Sequence, residues 1–170
     1  MSFVHMSSQP AASQFRVEKE RADAIMTLSS GTSTHGCFFV ARSGAHTSGP
    51  ERVSELLNSD SDFFPFEVHD SHGVQTVLYN RRHVVLVALT NDEARRDPGY
   101  DFATRRPVAV LLSNGHRIVG SVRVYRPEGR DRLSDWAREP EVFRYIETGR
   151  LTVLVNVAHV IEVREAASHV

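Results

Sequence analysis

Several groups of side chains in this sequence have the types and spacing to do chemistry. His69-Asp70-Ser71-His72 sets two imidazoles three residues apart around a carboxylate, a pattern that can hold a divalent metal. Cys37 follows His35 and Gly36, and a thiol near an imidazole can serve as a nucleophile. Arg52 with Ser54, and Arg132 with Ser134, stand where short helices are predicted to begin, a setting that can hold an anion. Asn80 with His83, and Asn156 with His159, offer donors and acceptors for a polar pocket at a turn.

Each group also has a simpler reading. The His-x-x-His stretch falls at a predicted turn, where it reads as solvated. Cys37 falls in mid-strand and reads as a small strand residue. The Arg-x-Ser pairs read as capped helices, with the arginine tying the insert to the rest of the fold. The Asn-x-x-His pairs read as turn formers, since Asn tolerates a left-handed backbone and His can bond nearby main chain. Arg81-Arg82 and Arg105-Arg106 are too short for a nucleic-acid stripe. No long helix follows the glycines, so they form neither a phosphate loop nor a dinucleotide fingerprint. No catalytic residue, metal or cofactor is expected, and no small-molecule substrate is evident; the chain reads as a non-enzyme.

The elements that carry these residues occur twice. Residues 77–87 read VLYNRRHVVLV and residues 153–163 read VLVNVAHVIEV, identical at six of eleven positions. Average usage gives fewer than about one match. Upstream, Arg52-Val53-Ser54-Glu55 matches Arg132-Leu133-Ser134-Asp135, and Phe63 and Glu67 match Phe143 and Glu147. Gly31 and Gly36 match Gly115 and Gly120. The offset falls from 84 to 80 to 76 residues, so the copies differ by short loop changes. The expected organisation is an unordered tail at 1–22, a first repeat at 23–89, a polar linker at 90–106 and a second repeat at 107–165. Asp97-Pro98-Gly99 marks a turn in the linker, and residues 92–96 suit one helical turn.

Within the second copy, residues 108–112 are apolar and end at Ser113-Asn114-Gly115, a hairpin signal. A second strand is predicted from 116 to about 125, then a short helix capped by Ser134. Strands follow at 142–147, 151–155 and 158–163. The reading is all-β: two tandem small five-stranded β-barrels, each with a short helical insert between strands 2 and 3.

This strand order, with Leu-x-Asn-Gly-x-x-x-x-Gly over the first hairpin and a terminal Val-Asn-x-x-His-Val, resembles the Sm-like fold of the LSm and Hfq proteins. It is closest to a bacterial family of Sm-like domains of unknown function that carry Arg-x-Ser-Asp/Glu before an aromatic strand. The resemblance covers both copies. It implies barrels that extend their sheets edge to edge, and, as the alternative function, an RNA-binding regulator. The sequence differs from LSm proteins in its helical inserts and in having Asn-x-x-His where they have Arg-Gly in the last turn.

Composition narrows the classes. Hydrophobic residues are 41% and charged residues 24%, which fits a globular chain. Twenty basic against 21 acidic side chains give a net charge of -1, so bulk charge gives no reason to expect nucleic acid or an anionic membrane. One cysteine is read as leaving no internal disulfide framework and no cysteine-based zinc site. No apolar run approaches the roughly 20 residues that span a bilayer. The start has no basic-then-apolar leader pattern, and the expected location is cytoplasmic.

Comparing the copies points to a surface. Phe39 aligns with Arg123, Phe64 with Arg144 and Leu86 with Glu162. The second-copy residues fall between apolar neighbours and are expected to face water. The same outward positions in the first copy are large and apolar, at ~1.5–3 kcal/mol each if covered. The expected function is therefore a non-enzymatic protein-interaction or assembly module. Its candidate interface is Phe39, Phe64 and Leu86, covered by the second copy, another protomer or another protein.

Overall fold

A computed structural model describes residues 18–43, 49–127 and 129–167. Most of the expected tail at 1–22 lies outside these residues; its last four belong to the first strand. The strands are β1 (Lys19–Leu28), β2 (Ser33–Ala41), β3 (Phe63–Asp70), β4 (Gly73–Asn80), β5 (Val84–Leu89), β6 (Thr104–Leu112), β7 (Arg117–Val124), β8 (Phe143–Glu147), β9 (Thr152–Asn156) and β10 (Val160–Glu165). Two five-residue helices interrupt them, α1 (Val53–Leu57) after β2 and α2 (Leu133–Ala137) after β7. Short 3-10 turns cover Arg81–His83, Glu93–Arg96 and Val157–His159.

The fold is all-β with the helical inserts where the sequence places them. The expected pair of closed barrels does not form. All ten strands make one open antiparallel sheet in the order β10-β6-β7-β8-β9-β5-β1-β2-β3-β4. The order β5-β1-β2-β3-β4 in the first half is repeated as β10-β6-β7-β8-β9 in the second. The halves meet where β5 pairs with β9, in register Leu86↔Val155, Val87↔Leu154 and Ala88↔Val153. Each half spends one sheet edge on this seam, which is why neither needs to close on itself.

Strand alternation decides what is buried. In β1, Ala22, Ala24 and Met26 are buried while Arg21 and Asp23 are exposed. The first core gathers Met26, Phe38, Leu57, Phe64 and Phe66, with Phe143, Tyr145 and Leu154 from the second half. Phe38 stacks on Phe64 at 5.4 Å and meets Phe66 edge-on at 4.9 Å. The second core gathers Val108, Val110, Val122, Trp136 and Ile146, with Val85 from the first half. Each core thus borrows side chains across the seam.

Gly36 and Gly120 allow β2 and β7 to approach the next strand closely. A Cβ at Gly36 would lie 1.8 Å from the Glu67 carbonyl oxygen, and one at Gly120 2.3 Å from that of Glu147.

Three local expectations change. Gly31 and Gly115 alone take positive φ in the first hairpins, so Asn114 contributes a side-chain acceptor for the His116 N–H instead of a left-handed residue. Asn80 and Asn156 likewise have φ of -79° and -80°. The N-caps are Arg52 and Arg132, not Ser134; Glu55 and Asp135 reach back to accept their backbone N–H groups at 2.8 and 3.0 Å. The 90–106 segment is no simple polar linker. Glu93 and Ala94 are buried in its 3-10 turn, and β6 takes its last three residues.

Candidate functional site

The seam holds three of the residues that the sequence singles out, Leu86, Asn156 and His159. Asn156 is buried at the end of β9. Its Oδ1 accepts from the Ala158 N–H at 3.0 Å, which caps the 3-10 turn. Its Nδ2 donates across the seam to the Val84 carbonyl at 2.9 Å. His159 bridges in the same way. Nδ1 meets Ser113 Oγ at 2.8 Å, and Nε2 lies 2.8 Å from the Arg82 carbonyl of the other half. A carbonyl only accepts, so Nε2 carries the proton; in the neutral ring the Ser113 hydroxyl donates to Nδ1.

Asn80 and His83 repeat the local half of this arrangement. Asn80 Oδ1 accepts from the Arg82 N–H at 2.9 Å, and His83 Nδ1 meets Ser29 Oγ at 2.9 Å. Among the described residues, neither reaches across a seam, because β4 is an outer edge of the sheet. The same residue pair is therefore bonded across the seam in the second half and only locally bonded in the first.

The edge strands show the same contrast. Leu78 on β4 is 67% exposed and Ile161 on β10 is 64% exposed. Their counterparts are Leu154 on β9 and Val85 on β5, both at 0%. These pairs share sequence position and strand position, and they differ in whether a neighbouring strand is present.

The candidate interface residues do not share one face. Phe64 lies in the first core at 5% exposure. Leu86 is half-buried at the seam opposite Val155. Phe39 is half-buried with the Arg21 guanidinium 5.8 Å from its ring. Their second-half counterparts are not all solvated. Arg123 is 2% exposed. It lies between the Tyr100 and Tyr145 rings at 4.7 and 4.8 Å and donates to Glu147 at 2.8 Å and to the Ala94 carbonyl at 2.8 Å. Arg144 covers Trp136 and donates to the carbonyls of Trp136, Glu139 and Glu141. Only Glu162 stays near water, paired with Arg164 and Arg117. An arginine between apolar strand residues can lie inside when aromatic faces and carboxylates line its path, and single-strand alternation does not show that lining.

A groove of about 860 Å³ runs beside the seam, lined in part by Arg52, Asn58, Asp97, Tyr125, Trp136 and Arg144. Arg52 is buried and bonded to Asp97, which also accepts from the Tyr125 hydroxyl. Tyr145 donates to Ser54 Oγ at 2.7 Å, and Asn58 makes paired bonds with the Phe143 main chain at 2.9 Å each. Burial raises the Tyr125 and Tyr145 phenols well above their usual range. Burial also pushes the Glu93 carboxyl up to about 7, against the pull of the Val53 N–H and Arg52. These groups tie α1 and the 90–106 segment to the second half. Arg132, by contrast, is exposed. Its sequence match to Arg52 does not give it the same partners, so the two arginines do not form a repeated anion site.

Away from the seam, Cys37, Glu67 and His69 bring one possible ligand atom each to within 4.8 Å of one another. His72 is not among them; its N–H is held by Asp70 Oδ1 at the turn. No protein-family model, curated protein or solved structure matches the chain. Among the described residues, no helix is long and apolar enough to cross a membrane.

Proposed function

We propose that this chain is a non-enzymatic assembly module, built by duplication of an Sm-like unit, whose copies join head to tail. The β4 edge of one copy pairs with the β10 edge of the next, as β9 pairs with β5 inside the chain. The carrying observation is that Leu78 and Ile161 are exposed where Leu154 and Val85 are fully buried. The seam supplies the template. Replacing each seam residue by its counterpart gives the register Glu162↔Tyr79, Val163↔Leu78 and Arg164↔Val77. By the same mapping, Asn80 Nδ2 donates to the Val160 carbonyl of the next copy and His83 Nε2 to that of Ala158. Such a contact is heterologous, so it leads to a ring if the rotation closes and to a filament if it does not.

Covering Leu78 adds ~1.5–3 kcal/mol, or roughly tenfold to a hundredfold in association constant. The test is light scattering on the full chain over a wide concentration range. The expected result is growth of the molar mass with concentration, lost in Leu78→Lys while the far-UV spectrum stays that of a folded sheet. The double variant Leu78→Cys/Val163→Cys should form disulfides between chains, since the two positions lie on opposite edges. A monomer at all concentrations overturns the proposal; Glu162 and Arg164 would then be edge charges that keep other strands away.

A further inference from the structure

The first half carries a second cluster that its own duplicate lacks. Asp23, Cys37 and Glu67 stand directly opposite one another on β1, β2 and β3, through the pairs Asp23↔Cys37 and Cys37↔Glu67. His69 lies two residues beyond Glu67 on the same face of β3. The Cys37 thiol donates to Asp23 Oδ1 at 2.9 Å and lies 3.8 Å from His69 Nε2. His69 Nε2 is 2.9 Å from Glu67 Oε1.

The second half shows what the scaffold alone requires. There, Glu147 pairs with Arg105, as Glu67 pairs with Arg21 at the matching position. The carboxylate and its arginine are therefore shared structure. The counterparts of Asp23, Cys37 and His69 are Pro107, Ser121 and Gly149, none of which is a strong ligand. Asp23, Cys37 and His69 are additions to the common frame, and two of them, Cys37 and His69, meet the shared Glu67 with their ligand atoms all within 4.8 Å of one another.

We propose that Cys37, Glu67 and His69 form a binding site for a first-row divalent cation, zinc above all, with Asp23 beside the sulfur. One sulfur, one imidazole nitrogen and one carboxylate oxygen suit zinc, which takes borderline donors in tetrahedral geometry. Bonds of about 2.0–2.3 Å set tetrahedral edges of about 3.3–3.6 Å. Two observed separations, 2.9 and 3.8 Å, lie on either side of that range and all three ligand atoms lie within 4.8 Å of one another, so side-chain rotations complete the site. Cys37 and Glu67 are nearly buried, whereas the His69 side chain is 43% exposed, so entry is from the His69 side. Binding replaces the thiol proton with the metal: the S–H bond breaks, the sulfur lone pair forms the metal bond, and the proton leaves to solvent. Thiolate and Glu67 carboxylate then balance a dication, and Arg21, 64% exposed, is free to stay on the second Glu67 oxygen or swing out. Unmetallated, the thiol is inert: burial and its bond to Asp23 push it up to about 12.

Cobalt(II) titration of the metal-free full chain is the test. Cys37 is the only cysteine, so a thiolate-to-cobalt band in the near ultraviolet reports this site alone. The expected result is a band saturating at one equivalent, bleached by zinc, absent in Cys37→Ser and shifted to more than about tenfold higher cobalt in His69→Ala. The His69 side chain is 43% exposed and Glu67 keeps its Arg21 partner without it, so that variant should still fold without metal, and His72→Ala should bind as wild type. Saturating cobalt with no thiolate band overturns the site, as does a band whose midpoint His69→Ala leaves unmoved.

Discussion

Asn80 and Asn156 offer an internal control for the cost of the seam. Each caps its own 3-10 turn through Oδ1, at 2.9 and 3.0 Å. Only Asn156 also donates across to Val84, a residue fully buried. Asn→Ala at either position removes a cap, about 1 kcal/mol. At 156 it also strands the buried Val84 carbonyl, at about 1–3 kcal/mol more. Asn156→Ala should therefore lose about 2–4 kcal/mol and Asn80→Ala about 1. For a chain of this length each kcal/mol moves the melting temperature by roughly 2–4 °C. Urea and thermal unfolding at low concentration, where copies are apart, measure the difference. Equal losses would refute the assignment of Asn156 to the seam. The same pair tested at high concentration inverts the question: if copies join through β4, Asn80→Ala should acquire a concentration-dependent penalty that Asn156→Ala lacks.

Two further outcomes follow from the core. Glu93 has its carboxyl raised from 4.5 to about 7 by burial, so the folded chain holds that proton where the unfolded chain has released it. Stability should fall as pH rises through this window, by up to about 3 kcal/mol, and level off above it; Glu93→Gln should flatten the slope, and a pH series of urea midpoints that is flat in wild type would contradict this. Gly36→Ala should cost more than about 3 kcal/mol or prevent folding, since its Cβ meets backbone at 1.8 Å, whereas Ala at Gly115 meets nothing and bears only the strain of φ near 85°; comparable melting of the two variants would show that β2 and β3 can move apart.

The recurrence of residues at fixed offsets and the types of the elements were legible because both are local patterns. Identical residues at fixed offsets and apolar runs between turn signals need no knowledge of the partner strand. The open sheet was not legible. Whether an edge folds back to close a barrel or pairs with another edge depends on the relative orientation of the halves, and the residues on β5 and β9 read the same in both cases. The Asn-x-x-His pairs were found at turns, but the asparagines act there through Oδ1 and not through a left-handed backbone, and the reach of Asn156 and His159 across the seam needed coordinates. Arg123 was misread because its solvation depends on Tyr100, Tyr145 and Glu147, which lie 23, 22 and 24 residues away. His69 was noted for its spacing to His72, while its actual neighbours, Cys37 and Glu67, come from strand register.

The proposed assembly rests on the sheet edges and not on the groove. The groove between α1 and the second half is lined in part by groups bonded to each other: Arg52 to Asp97, Tyr145 to Ser54, Asn58 to Phe143. Among the described residues, the β4 and β10 edges have no such commitments. They present unpaired strand backbone beside exposed Leu78 and Ile161, at positions where the same chain shows how the contact is completed. A strand edge left open at one end and its complement left open at the other is costly for an isolated molecule, because it invites indiscriminate pairing. The cost disappears if the two edges are each other's partners.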